Sequence, residues 1–451
     1  MVTDAKAGRH RHPLPGWAGS IILVSALGAT HPALPAEFRA GPDDFQQAVD
    51  RLKPGDTLFL EPGQYLRRLD IDGLTGTPGK LITIEGAGGR PVFLANPDND
   101  TIVIRDAGYI TLRNLEIDGR GMMVNGVRST GRFAHHIVLD DLYIHDLGRY
   151  QQIVGISSKC PAWDWRVSRN VIIRAGTGMY FGNSNGDHPF WGGVIENNLV
   201  SETLGYNLQI KHQNPRPALP GMPTGPRKTI IRRNVFSKAA GSAAGNEARP
   251  NVLVGHWPLN GPGKDDEYLI YGNFFYQNPS EALFQGEGKI ALYNNLFYNS
   301  QDNEYPAVAI QPHNDIPRKV RIFFNTVLHR WKGIRVTQKE GVEEHELRII
   351  GNAVFSDAPL QGGQSSENLV APYADVPDYF QHPAAPIGTL SLFPKPGKLQ
   401  GRPINLGTFA DYLESDRDFN GQKRDGRFRG AYSAAGRNPG WKLSLARPPS
   451  R

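Results

Sequence analysis

Asn198-Leu199-Val200, Asn234-Val235-Phe236, Asn273-Phe274-Phe275, Asn295-Leu296-Phe297, Asn325-Thr326-Val327 and Asn352-Ala353-Val354 are six copies of one phrase, an asparagine followed by a short β-forming run. Upstream, with Asn or Asp leading, the phrase occurs as Arg113-Asn114-Leu115-Glu116-Ile117, Asp141-Leu142-Tyr143-Ile144 and Asn170-Val171-Ile172-Ile173. The leading residues of successive copies lie 22 to 39 residues apart, most near 28. A recurring phrase at uneven intervals means a constant strand-and-turn core with loops of variable length between copies. Each copy makes a strand too short to bury its apolar side chains alone, so successive coils must stack them into one core. The expected fold is all-β, a single-stranded right-handed parallel β-helix. An Asn at the same turn of every coil fits it, because Asn tolerates a left-handed backbone and its amide can bond the Asn above and below.

Outward from the repeat, Asp43-Asp44-Phe45-Gln46-Gln47-Ala48-Val49-Asp50-Arg51 has helical spacing with acidic residues at its start, and is expected to cap the open core. Pro54-Gly55-Asp56-Thr57-Leu58-Phe59-Leu60-Glu61-Pro62-Gly63 reads as turn, strand, turn, and Leu81-Ile82-Thr83-Ile84-Glu85-Gly86 as a further strand. After Asn352 the phrase fades and Pro, Gly and Ser accumulate. The expected organisation is an export signal over 1–36, the β-helix over 37–375 and a C-terminal covering segment over 376–451. The signal rests on Lys6, Arg9 and Arg11 ahead of an apolar run from Ile21 to Ala29, followed by small residues and Pro. That run is too short to span a bilayer as a helix.

The run from Pro54-Gly55-Asp56-Thr57 to Pro62-Gly63-Gln64-Tyr65, with Gly76-Thr77-Pro78-Gly79-Lys80-Leu81-Ile82-Thr83-Ile84, resembles the opening of the pectate-lyase-like β-helix superfamily, particularly its alginate lyase and chondroitinase B branch. The segment from Asp416-Arg417-Asp418-Phe419-Asn420-Gly421 to Gly430-Ala431-Tyr432 is similar to a closing motif of exported bacterial β-helix proteins. Gln209-Ile210-Lys211-His212-Gln213-Asn214 is similar to the lysine-bearing strand of the same branch, which implies Lys211 as base. That branch also carries acidic calcium ligands near the lysine and an Arg-His pair on a following coil. Here Asn207 and Gln209 are neutral and the coil reads Leu253-Val254-Gly255-His256. The expectation is therefore no metal cofactor, with calcium as the alternative, although its expected acidic ligands are not seen.

Composition narrows the partner. In 451 residues, 51 Gly and 35 Pro with 39% hydrophobic residues indicate many short elements and enough apolar material for a core. A net charge of +6 favours an anionic partner. No Lys/Arg block and no nucleic-acid-binding signature is present, so an acidic polysaccharide is expected rather than nucleic acid or a membrane. The lone Cys160 excludes an intramolecular disulfide and a cysteine-based metal site.

Strand alternation sets the expected site. If Ile156, Phe181, Ile210, Val254, Phe284, Ile310 and Ile334 point inward, then Ser157, Lys211, Gln285, Gln311 and Arg335 point outward on one face. Lys211, His256 and His313 are the expected catalytic groups. His212, Gln209, Gln285, Glu287, Gln311, Asn314, Arg335, Tyr180 and Trp257 are the expected substrate contacts. Trp163, Trp165 and Trp191 could also stack on sugar rings, although core or loop packing is the commoner fate for such residues, Trp257 included. The long insertions at 215–227 and 239–250 are expected to wall the site. A polysaccharide lyase, eliminating beside a uronate carboxyl, uses this inventory best. Epimerisation shares the proton abstraction, hydrolysis would need a carboxyl pair such as Glu287 and Asp315, and a non-catalytic binder would explain the repeats alone. His135-His136 and His145 are expected to be surface or turn residues.

Overall fold

The computed structural model describes residues 35–339 and 346–449. The export signal expected over 1–36 therefore lies, as far as residue 34, outside the described residues. Among them no helix is long and apolar enough to cross a membrane.

The chain winds as a right-handed parallel β-helix. One coil illustrates the rest. Strand Leu208–Ile210 lies on a first face, a long loop leads to Lys228–Arg232 on a second, and a tight turn passes to Val235–Ser237 on a third. The next coil repeats the sequence with Val252–Val254, Glu267–Tyr271 and Phe274–Tyr276. Each strand pairs in parallel with its counterpart one coil away, as in Leu208↔Val252, Ile230↔Leu269 and Val235↔Phe274. Inward side chains of all three faces meet in one continuous apolar core, where Phe236, Phe275 and Phe297 stack on successive coils at 5.5 and 4.4 Å. Helix Phe45–Val49 closes the first coil by burying Phe45 and Val49, the Phe45 ring lying edge-on to Tyr65 at 5.2 Å.

The tight turn between the second and third faces carries the repeated asparagine. From Asn170 the side chains of Asn198, Asn234, Asn273, Asn295, Asn325, Asn352 and Asn368 form one file. Each amide donates to the next carbonyl oxygen, for example Asn198 to Asn234 at 2.9 Å and Asn234 to Asn273 at 3.0 Å. The same oxygen also accepts the backbone N–H of the preceding Asn, and the second amide hydrogen goes to the backbone of an earlier coil, as from Asn234 to Ile195. Every polar group on a rung is thereby matched inside the core wall.

The left-handed residue is not the ladder asparagine but its predecessor. Arg169, Asn197, Arg233, Gly272, Asn294, Phe324, Gly351 and Glu367 have φ between +53° and +69°. Asn114 and Asp141 occupy this left-handed position, one residue before the ladder site, which is filled there by Leu115 and Leu142. The two upstream copies thus share the turn but not the amide file, which begins when Asn170 receives the Leu142 N–H.

After the last coil strand, Leu369–Ala371, the remaining chain packs on the outside of the second and third faces. Phe409 extends the stack Tyr271, Tyr293, Phe323 at 4.3 Å. The buried Arg424 donates to Asn294 and to the carbonyls of Gly430 and Ala431. Asp418 gathers Asn420, Gln422 and Ser433 into the closing turn. Cys160 is fully buried against the Ser129 hydroxyl, its thiol pushed up to about 12 by burial.

Asn273→Ala orphans the Asn234 N–H and one hydrogen of its amide, and takes one donor from the Ile231 carbonyl and one from the Asn295 oxygen, which keeps the residue 273 N–H, at about 1–3 kcal/mol for each buried group left unmatched. Its urea midpoint is expected to fall sharply. Asn114→Gly, at a left-handed position, should change it little. Equal effects would contradict the ladder's role.

Candidate functional site

The first face carries two outward columns. In one, Ser157, Tyr180, Gln209, Leu253, Gln285, Ala309 and Arg335 succeed each other in register. In the other, two residues on, the order is Gly182, Lys211, Gly255, Glu287, Gln311 and Thr337, as the hydrogen bonds Lys211 N–H to Phe181 O (2.9 Å), Gly255 N–H to Ile210 O (2.9 Å), Glu287 N–H to Val254 O (3.2 Å) and Gln311 N–H to Gly286 O (3.1 Å) establish. Ser157, Lys211, Gln285, Gln311 and Arg335, expected on one side of the solenoid, do share it. Arg335 and Gln311 are joined directly, Nη2 to Oε1 at 2.9 Å.

Lys211 stands between two glycines of its column. A Cβ at Gly182 would lie 3.1 Å from Cβ of Lys211, and one at Gly255 would lie 2.2 Å from the backbone nitrogen of His212. The two glycines let the neighbouring coils pack directly against the lysine and its backbone, where a side chain would overlap them. Among the described residues no carboxylate is within ion-pair distance of its ammonium. Burial lowers its pKa, and the Glu287 charge, two coils away, opposes that shift only in part.

His212 and His256 stack with ring centroids 5.6 Å apart. Burial, reinforced by Lys211 and His256, holds His212 below its ordinary pKa, and its buried Nδ1 has no partner. His256 Nδ1 is 2.8 Å from the carbonyl of Trp257. A carbonyl only accepts, so Nδ1 carries the proton, and Nε2 of the neutral ring keeps its lone pair for another partner.

Beyond Lys211 the second column leads into a cleft of about 350 Å³, where Gln285, Glu287, Gln311 and His313 meet Tyr206, Arg249 and Glu281. The Glu287 carboxylate accepts the backbone N–H groups of His313 (2.9 Å), Asn314 (2.9 Å) and Asp315 (3.3 Å) on one oxygen. It therefore shapes the turn that presents the exposed His313 and Asn314. Gln285 donates to Glu281 at 3.0 Å, and Gln209 is only 5% exposed. Trp257 is buried and stacked on Tyr268 at 4.3 Å, and Trp163, Trp165 and Trp191 are buried too, so these indoles pack rather than offer a face to a sugar. The Tyr180 ring is covered by the ammonium of Lys159, 3.5 Å from its centroid.

Tyr206, Arg249, Glu281 and Lys238 are the contributors that the strand pattern misses. Burial raises the Glu281 carboxyl and pushes Tyr206 up to about 12, keeping both protonated forms available. Lys238 is wholly buried and donates to the carbonyls of Leu204 (3.3 Å) and Arg249 (2.9 Å), fastening the 239–250 insertion beside the cleft. The length of that insertion was a usable signal; the inward course of Lys238 was not.

The expectation that no acidic metal-ligand set is present is corrected. Asp118, His145 and Asp146 bring ligand atoms within 4.8 Å of one another on the third face. Coil stacking is the reason, since His145 sits in register on Asp118 although they are distant in sequence. His145 is mostly buried, with Nδ1 2.7 Å from Asp146 and Nε2 3.2 Å from Glu116, and is no loose turn residue. Two carboxylates and an imidazole suit a divalent cation. Arg174 already donates to both oxygens of Asp146 and holds that carboxyl far below the usual range, so a cation there competes with the guanidinium.

No protein-family model and no curated protein matches the chain. Solved structures do. An alginate lyase from Paenibacillus sp. str. FPU-7 is 16% identical, with 74% of this chain and 99% of that chain covered and a TM-score of 0.45. Pectate lyase Pel9A is 14% identical over 92% and 96%, with a TM-score of 0.46. A GH136 lacto-N-biosidase from Eubacterium ramulus is 14% identical over 75% and 68%, with a TM-score of 0.43. The relationship is a distant structural one and singles out no family. The site rests on this chain's own side chains.

Burial pulls Lys238 down to about 7 from its ordinary 10.5. Between those values the unfolded chain holds the extra proton, so stability rises with pH across the window and is lowest below it. Lys238→Met is expected to flatten this rise, read from urea midpoints at about pH 7 and pH 10. An unchanged slope would show that Lys238 does not titrate this way.

Proposed function

We propose that the protein is an exported polysaccharide lyase that cleaves an acidic, uronate-containing polysaccharide by β-elimination, with Lys211 as the base. The observation that carries the reading is a half-buried lysine without a carboxylate partner among the described residues, packed between two glycines of a column that continues to Glu287 and the polar cleft. A base for this reaction must spend part of its time neutral near working pH, and desolvation without an ion pair moves a lysine that way.

Neutral Lys211 takes the proton on C5, beside the uronate carboxyl. The electron pair released forms the C4–C5 double bond as the bond from C4 to the leaving oxygen breaks, and the new ammonium returns the proton to that oxygen. Arg335, held by Gln311, lies four coils from Lys211, about 19 Å at ~4.8 Å per coil, so its charge meets an acidic group farther along the polymer and not the carboxyl at the reacting carbon. His256, with Nε2 free, and His313, on the turn that Glu287 shapes, hold the leaving sugar.

Hydrolysis is disfavoured by the same geometry. Glu287 has one oxygen committed to three backbone N–H groups, and Asp315, which supplies one of them, faces Arg318 at 3.4 Å. Those two carboxyls are engaged, and Glu281, which also lines the cleft, has one oxygen held by the Ala282 N–H and the Gln285 amide.

The test is growth of ultraviolet absorbance from the new double bond when the mature protein meets a panel of acidic polysaccharides. Lys211→Ala should lower kcat by about 100-fold or more while the protein still folds. The rising limb of the pH profile should lie below the ordinary lysine value of 10.5, since the neutral form is the active one. Absorbance growth that survives both Lys211→Ala and His256→Ala would remove these assignments. Solvent deuterium entering C5 without absorbance would assign epimerisation instead, and no reaction with any polymer would overturn the enzymatic reading.

A further inference from the structure

On the N-terminal side of Lys211 the first face gathers positive charge that the elimination step does not use. Arg128, Ser157 and Tyr180 follow one another in register on three successive coils. Lys159 lies in the second column with Gly182 and Lys211, and Gly182 has no side chain to separate the two lysines. The Lys159 ammonium sits 3.5 Å from the Tyr180 ring centroid and 3.3 Å from the Gly182 carbonyl. Arg128 meets Asp100 at 3.2 Å, and this is the only ion pair of Arg128, Lys159 or Lys211 among the described residues. Two polar atoms beneath the cluster are buried without partners, the Ser157 hydroxyl and Nε of Arg128. Ser157 is 1% exposed.

Three cations with one carboxylate repel one another, and the repulsion is felt. Lys159 is pulled down to about 8 by burial first, then by Arg128 and Lys211. A fold that only needed to cover this strand would do so more cheaply with Thr or Ser. An arriving anion would relieve the repulsion and give the unmatched donors a partner.

We infer that Arg128, Lys159 and Ser157, with Tyr180 as the platform beneath the lysine, form a second carboxylate-binding subsite that takes the acidic group of a neighbouring sugar in the same polymer. Lys159 and Lys211 are two coils apart, about 10 Å at ~4.8 Å per coil. The bound chain then runs along the solenoid axis, with acidic groups on Lys159 and on the reaction centre. The inference rests on the reading that this groove holds an acidic polymer, and it adds where the polymer extends and which residues outside the reacting centre grip it.

Native gels cast separately with alginate, polygalacturonate or hyaluronan, and with neutral hydroxyethyl cellulose as reference, measure retention without requiring turnover. Wild-type protein is expected to be retarded by at least one acidic polymer and not by the neutral one. Lys159→Met and Arg128→Ala, shown by circular dichroism to be folded, should each weaken that retention by about tenfold, the loss expected for one charge-assisted hydrogen bond. Lys159→Arg should restore most of it. Wild-type retention unchanged in Lys159→Met overturns the subsite even if the elimination assay succeeds. Retention that needs Lys159 while no polymer is cleaved upholds the subsite and sinks the lyase reading. No retention of the wild type by any acidic polymer overturns the subsite.

Discussion

Everything in this molecule depends on keeping successive coils in register, and the buried amide file from Asn170 to Asn368 is the interaction that does it. An apolar core by itself opposes sliding a coil by one residue, which would turn every outward side chain inward, but a slip of two residues keeps the same faces. A rung whose oxygen accepts two N–H groups from the coil below, while its own amide reaches the coil above and a backbone carbonyl, has one satisfactory position. Because the rungs are buried, a slip would leave several groups unmatched. The second and third faces are thereby locked, and the long loops can vary without disturbing the winding.

The site is the product of that register acting on the first face. Lys211 meets no other residue of its column within fifteen positions of sequence; the coils bring Gly182 and Gly255 to either side of it. Charge follows the same rule. Arg128, Lys159 and Lys211 form a positive stretch, and then Glu287, Gln311 and the protonatable Glu281 line the cleft. An extended acidic chain laid along such a surface meets cations first and hydrogen-bonding groups next. The third face has its own polar cluster, Glu116, Asp118, His145 and Asp146 with Arg174, built by the same stacking and separate from the first-face columns.

Much of the fold was legible because its signal is local and repeated. Each Asn followed by a β run marks the start of a third-face strand, and alternation told inward Ile210, Val254 and Ile310 from outward Lys211 and Gln311. The legibility stopped at one residue of offset. Asn114 and Asp141 look like the later asparagines but stand at the left-handed position before the ladder site, a difference that only the pairing of Tyr143 with Val171 reveals. Tryptophan was ambiguous for a related reason: its amphipathic chemistry suits a sugar or a core, and Trp257 on Tyr268 is core.

The amino-acid sequence by itself determined the solenoid and the face that carries polar side chains, Lys211 among them, because strand period and turn chemistry are set within a few neighbouring residues. Only the tertiary structure decided what stands beside what across coils: the glycines packed on either side of Lys211, the commitment of Glu287 to a turn, the buried Lys238 under the 239–250 wall, the Asp118, His145 and Asp146 cluster, and the cations around Lys159. Those contacts join residues tens of positions apart through loops of unequal length, and the path of such loops is fixed by packing rather than by local preference.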